Sequence, residues 1–318
     1  MLGPMDLPLA DIAVPEPDRS LEPAGYLVTD DDGERLHFLD WDVPAGQPDR
    51  PGVLLIHGLA QTAWSWAPVA RRLGGAAGPA RVVAMDLRGH GLSDAPTEDD
   101  AYALDTLAAG VVAVAEGSGL LAAPGARIVV AGHGFGASVA AHAAIELGGR
   151  CAGAVLVDGG WESLETATGL DVEEFLRGIA EPPEVLRSMT AFLEDRQAFD
   201  PATWDADQER AARATVVETH AGRVVPATRP HALEACVRAM FDEDPRATLA
   251  ALDMPVVALV AADDDVRSRA RALEMVSAER VAAGRTAIRS MTFPHSGHNL
   301  MRYAPGAVAS VVLGAARG

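Results

Sequence analysis

RIVVAGHGFGAS, residues 127–138, runs from an apolar stretch through alternating glycines into a run of small residues. Ile128–Ala131 is an unbroken apolar run rich in β-branched residues, as expected of a strand buried on both faces. Gly132, Gly134 and Gly136 then alternate with His133 and Phe135, and a small-residue helical stretch follows over Gly136–Leu147. A strand that bends into a helix this abruptly leaves little room for side chains around the bend, and glycine meets that demand. The same grammar recurs on either side. GVLLIHG (52–58), RVVAMD (81–86), AGAVLVD (152–158), PVVALVAA (255–262) and TAIRSMTF (286–293) read as further strands. Helices are expected roughly from Thr62 to Leu73, over Ala101–Gly117, around Ser268–Ala282 and near Pro305–Ala316. Strand–helix alternation of this kind predicts an α/β fold with a mostly parallel central sheet and helices on both faces.

Three segments stand outside that alternation. Residues 1–24 are rich in Pro and Asp without a period and read as an N-terminal arm. GYLVTD (25–30) and LHFLDW (36–41) flank the turn-forming DDGE and predict an antiparallel hairpin. From Gly160 to Leu252 the strand runs stop, and helical patterns are broken by Pro182, Pro183, Pro201, Pro226, Pro230 and Pro245. The expected organisation is a core of residues 25–159 and 253–318, with 160–252 inserted between two sheet strands as a helical cap.

Length and composition narrow the function classes. The chain has 318 residues, 49% of them hydrophobic, which suits one large domain carrying an insertion. Its formal net charge of -19 repels phosphate backbones, so nucleic acid is not an expected partner. The sequence contains no lysine, which excludes a lysine Schiff base. Cys151 and Cys236 show no ligand spacing and read as reduced core thiols. The first twenty residues lack the basic and apolar regions of a signal peptide, and no run is apolar enough to span a membrane. A cytoplasmic location is expected, with no membrane partner. No metal or dinucleotide motif occurs, and no cofactor is expected.

Five motifs occur in order: LLIHGLAQTAWSW (54–66), MDLRGHGLSDAP (85–96), VVAGHGFGAS (129–138), LVAADDD (259–265) and FPHSGHNLMRY (293–303). Together they resemble the α/β-hydrolase superfamily over about residues 25–318. The resemblance implies an α/β-hydrolase fold and a nucleophile elbow, G-x-S-x-G, at residues 132–136. Here Gly134 occupies the serine position, and glycine has no side chain with which to form an acyl intermediate. His298 falls where the general base projects. The acid is expected after the penultimate strand, at Asp265, with Asp264 next to it in register and Asp158 as the alternative position at the end of an earlier strand. The amides of Leu59 and Phe135 fall where the oxyanion hole is built. His133, His57 and the loop residues Arg88, His90 and Asp94 read as structural, with His133 directed away from the reacting centre. Ser138 lies too deep in its helix to replace the missing nucleophile, and His295 is the weaker alternative base. Trp64 and Trp161 are placed to line a substrate pocket, with core packing as the competing role. In the inserted segment, Phe175, Met189, Phe192, Trp204, Met240 and Phe241 offer an apolar wall, and Arg223, Arg229 and His231 are candidates to meet an acidic group. Epoxide hydrolases and haloalkane dehalogenases use an aspartate at the elbow, which is absent here.

The expected ligand is a small, moderately apolar molecule. Three readings follow from Gly134. The chain is an ester, lactone, thioester or carbon–carbon hydrolase impaired at its nucleophile. Or His298 and its acid act as a general base without serine, in elimination, cyclisation or cofactor-free oxygenation. Or the old pocket binds a ligand without catalysis.

Overall fold

The structure is a computed structural model and describes residues 14–41, 50–74, 79, 81–179, 188–261 and 266–317. The hairpin forms as expected, from β1 (Ala24–Thr29) and β2 (Arg35–Trp41). Then come β3 (Gly52–Ile56), α1 (Ala67–Leu73), β4 (Val82–Met85), α2 (Leu104–Gly117), β5 (Ile128–His133), α3 (Phe135–Leu147) and β6 (Cys151–Val157). The segment that follows holds α4 (Leu164–Thr168), α5 (Val172–Ile179), α6 (Met189–Phe199), α7 (Ala206–Ala214), β7 (Val216–Glu218), β8 (Val224–Pro226), α8 (Pro230–Asp242) and α9 (Pro245–Ala251). The chain then returns to the sheet with β9 (Val256–Ala261), α10 (Val266–Ala282), β10 (Arg289–Phe293), α11 (Leu300–Tyr303) and α12 (Pro305–Ala315).

Eight strands form one sheet in the order β1-β2-β4-β3-β5-β6-β9-β10. The β1–β2 and β2–β4 pairings are antiparallel, and the rest are parallel. Because successive strand side chains point to opposite faces, each parallel strand feeds two cores. Leu54, Ile56, Val130, Leu156 and Ala258 pack on one side with α2 and α3 residues such as Val111 and Val139. Val53, Leu55, Val129, Val155 and Val257 pack on the other with α1 and α12 residues such as Val69 and Val312. This two-sided burial is why the strands read as continuous apolar runs.

The inserted segment is not wholly helical. Besides α4–α9, its described residues hold the antiparallel pair β7–β8. VVETHAGRVV places β-branched residues around a turn in which Gly222 has φ +70°. At three residues each, these strands are too short and too exposed to show a buried run. The segment is tied to its neighbours at several points. Arg229 N donates to Gly89 O (3.1 Å), and Arg302 donates to Thr203 Oγ1 (2.6 Å) and Asp200 O (2.8 Å). Buried Arg71 on α1 pairs with Asp207 on α7 and Glu22 of the arm, and donates to Leu21 O. Arg210 on α7 also pairs with Glu22 and lies 4.7 Å over the Trp64 ring.

At the bend between β5 and α3, backbone packs on backbone. A Cβ at Gly132 would lie 1.9 Å from Gly136 O, and one at Gly136 would lie 2.3 Å from His57 O. Neither obstacle is the end of a flexible side chain. Gly132→Ala is therefore expected to cost about 3 kcal/mol or more, as overpacking against rigid neighbours does. Thermal unfolding followed by circular dichroism would show it, and an unchanged midpoint would contradict the close approach.

Candidate active site

The carboxyl ends of β3, β5, β6 and β10 carry the residues that the sequence singled out, as is usual for ligand sites of open α/β sheets. Gly134 follows β5 with φ +52° and ψ -118°, a conformation that disfavours L side chains. Its N–H donates to Val157 O (2.9 Å), which locks the bend against β6. Among the described residues, the non-glycine residues with positive φ are Ala60, Asp158 and His295. They occupy the loops after β3, β6 and β10, so backbone strain is concentrated around one place.

His298 reaches that place. A Cβ built on Gly134 would lie 3.1 Å from His298 Nε2. His298 Nδ1–H donates to Asp158 Oδ2 at 2.6 Å. The other carboxylate oxygen of Asp158 accepts from Ala261 N (2.8 Å) and Arg269 Nη1 (2.7 Å). Burial alone would raise the Asp158 carboxyl, but the His298 bond and the Arg269 guanidinium hold it below the usual carboxylate range. Arg269 in turn pairs with Glu162 (2.8 Å) and lies over the Trp161 ring at 5.2 Å. Asp265 and Asp264, the acids expected from the sequence, lie outside the described residues, and the described carboxylate that holds His298 is Asp158. The His298 side chain is 62% exposed while that of Asp158 is 1% exposed, so a solvent-accessible imidazole rests on a buried anion.

His133 lies closer to His298 than the sequence led one to expect. It does not turn away from the site: its ring centroid is 4.4 Å from that of His298. Its Nε2–H donates to the His298 carbonyl (3.0 Å), leaving Nδ1 3.2 Å from Gln61 Oε1. Burial, and then the neighbouring His298 imidazole, push His133 down to about 3, so it is a neutral prop at ordinary pH.

The loop after β3 is held by a second set of neutral imidazoles. His57 Nδ1–H donates to Gly58 O (2.7 Å), and its Nε2 accepts from Leu87 N (3.0 Å). His90 Nδ1–H donates to Arg88 O (3.0 Å), and its Nε2 accepts from Ala60 N (3.2 Å). Gly58 N–H donates to Gln61 Oε1 (3.1 Å). Leu59 is thus carried on a loop fixed on both sides. Phe135 is the first residue of α3, where an amide has no partner within its own helix. Arg88 pairs with Asp30 and Asp32, and Asp94 with Arg35, in line with their structural reading.

Because His90 and His133 are buried and neutral, folding discourages their protonation. The unfolded chain takes up these protons once the pH falls below about 6.5. Their contribution is therefore complete above that pH and lost progressively toward pH 3. Each is expected to cost about 2 kcal/mol of stability at pH 5. His133→Gln keeps a donor for the His298 carbonyl but cannot titrate. It should shrink the difference in urea stability between pH 7.5 and pH 5 by about that amount. An unchanged difference would contradict the buried, neutral assignment.

Trp161 is 1% exposed and belongs to the core, and Trp64 packs between Trp41 and Arg210. His231 Nε2–H donates to Pro96 O (3.0 Å), and the Arg223 and Arg229 side chains are exposed. Phe175 and Phe241 pack on each other, with ring centroids 5.9 Å apart. Arg269 and Gln61 were missed from the sequence, where nothing in their spacing marks them. Among the described residues there is no cluster suited to a metal ion, and no helix is long and apolar enough to cross a membrane.

A parallel-centred sheet with a glycine-lined strand–helix bend facing a histidine–aspartate pair defines a class of α/β proteins. The chain belongs to the alpha/beta hydrolase family, whose model matches residues 53–311. It is 35% identical to "Epoxide hydrolase 4" of Mus musculus over 123 residues, 39% of this chain and 31% of that protein. It is 33% identical to "AB hydrolase superfamily protein YfhM" of Bacillus subtilis over 119 residues, 36% of this chain and 39% of that protein. The chain thus spans about a third of the length of the curated relatives it matches. Among solved structures, E-2-(acetamidomethylene)succinate hydrolase is 18% identical with a TM-score of 0.72, covering 93% of this chain and 100% of that one. The thioesterase domain from the curacin biosynthetic pathway is 19% identical with a TM-score of 0.71, covering 92% and 99%. These likenesses establish the α/β-hydrolase fold.

Proposed function

We propose that the chain carries a serine-hydrolase site halted at its nucleophile. It binds a small carbonyl compound, an ester, lactone, thioester or cleavable ketone, over the bend at Gly134, with the inserted segment as its lid. The oxygen of that carbonyl faces the amides of Leu59 and Phe135. His298, oriented by Asp158, is the base that a serine would need. The observation that carries the reading is the 3.1 Å between His298 Nε2 and the place a Cβ would occupy on Gly134. That is the geometry of a nucleophile–base pair with one member missing. Epoxide opening through a carboxylate ester is not available, because position 134 offers no carboxylate.

Restoring the hydroxymethyl group tests the reading: Gly134→Ser should gain ester hydrolysis that the unsubstituted chain lacks. The exposure of His298 favours a second reading, in which its Nε2 draws a proton from water or from the substrate itself. In that case the unsubstituted chain turns over a substrate, and His298→Ala stops it.

A further inference from the structure

The turn that carries Asp158 also carries Glu162, in the stretch Asp158-Gly159-Gly160-Trp161-Glu162. Asp158 and Gly160 both have positive φ, +53° and +84°. A Cβ on Gly159 would lie 2.6 Å from Gly134 O, so the turn is pressed onto the bend after β5 and needs glycine there. Folded in this way, the stretch sends two carboxylates to one guanidinium. Arg269 Nη1 donates to Asp158 Oδ1 at 2.7 Å, and its Nε donates to Glu162 Oε1 at 2.8 Å. The guanidinium also lies over the ring of buried Trp161. One short segment thus holds Arg269 by both carboxylates and by the aromatic face between them.

The charges alternate along this row. His298 bonds to Asp158, Asp158 to Arg269, and Arg269 to Glu162. The side chains of Asp158 and Glu162 are 1% and 8% exposed, so water and salt screen them little and each charge is felt by the next. A guanidinium on Asp158 alone would cancel that carboxylate and leave a protonated His298 without a net counter-charge. Glu162 restores one, because two carboxylates around one guanidinium keep a single negative charge. An imidazolium would neutralise it. The ring of His133, which packs against His298, is neutral and adds no charge of its own.

We infer that Arg269 and Glu162 are positioning residues for the base: Arg269 holds the Asp158 carboxylate toward His298, and Glu162 offsets the Arg269 charge so that the buried group as a whole still attracts a proton to the imidazole. The inference deepens the hydrolase reading and rests on it for the use of His298 as a base, but the charge balance shows in an equilibrium titration without turnover.

The test is an NMR titration of the full chain carrying 13C-labelled histidine, with His298 identified as the resonance lost in His298→Gln. Glu162→Gln leaves Arg269 uncompensated beside Asp158, disfavours the imidazolium, and should lower the His298 midpoint by about half a pH unit or more. Arg269→Gln removes the cation, favours the imidazolium, and should raise the midpoint by about as much. With both substitutions the midpoint should return close to that of the unsubstituted chain. Arg269→Lys keeps the charge and should shift it less than Arg269→Gln does. Residues that only pack the turn would not give shifts of opposite sign. Midpoints that move in the same direction, or one that stays unmoved in Glu162→Gln, overturn the inference. If Arg269→Gln does not fold, judged by circular dichroism, Glu162→Gln decides alone: a lower midpoint supports the inference, and an equal or higher one overturns it. The titration is read with glycine at position 134. Failure of Gly134→Ser to gain activity therefore leaves it untouched, and the two ideas fall separately.

Discussion

Gly134→Ser is expected to raise the hydrolysis of p-nitrophenyl acetate by about 10³-fold or more over the unsubstituted chain. The change adds only a Cβ and an Oγ to a backbone already bent as an elbow, at φ +52°. The new Cβ would meet His298 Nε2 at 3.1 Å and its Cε1 at 3.4 Å, so the imidazole must retreat by a few tenths of an ångström. It sits on an exposed side chain and can do so, leaving the hydroxyl within reach of Nε2. The gain has a cost. Glycine adopts this backbone without strain, and a serine there stores about 1–3 kcal/mol. The same variant should therefore be more active and less stable, which urea unfolding would measure. A folded serine variant with no esterase activity would rule out the halted-hydrolase reading.

The second large effect concerns the acid. In the Gly134→Ser background, Asp158→Asn is expected to lower kcat by about 10⁴-fold, because an amide no longer selects the His298 tautomer whose Nε2 is free to accept. Asp265→Asn, made in the same background, should leave kcat within about two-fold. One Asp158 oxygen accepts from His298 at 2.6 Å, and the other is fixed by Ala261 N and Arg269, so the carboxylate is held in place for this role. The opposite pattern, a collapse with Asp265→Asn alone, would return the role to the residue that the sequence first suggested.

That ambiguity has a physical origin. β6 and β9 are adjacent and parallel, with Val157 paired to Leu259, so the strand before Asp158 and the strand before the aspartates of 263–265 end side by side. Among the described residues, Asp158 reaches His298, and its second oxygen is taken up by Arg269 from α10. Sequence patterns record which strand a residue follows, not which way a loop turns. The direction of the His133 side chain was illegible for the same reason, because it follows from the pitch of a bend. The β7–β8 pair escaped because short exposed strands have no burial pattern to read. By contrast, the sheet strands, the bend at Gly134 and the position of His298 were legible, since burial on two faces and a need for glycine both leave marks on composition.

Arg71 has a bearing on how this protein is handled. One side chain joins the segment around Leu21 and Glu22 to α7, and Glu22 reaches α7 a second time through Arg210. A disturbance of the Leu21–Glu22 segment is therefore passed to α1 and α7 together. Substituting Glu22 would leave two arginines, Arg71 and Arg210, short of a carboxylate at once.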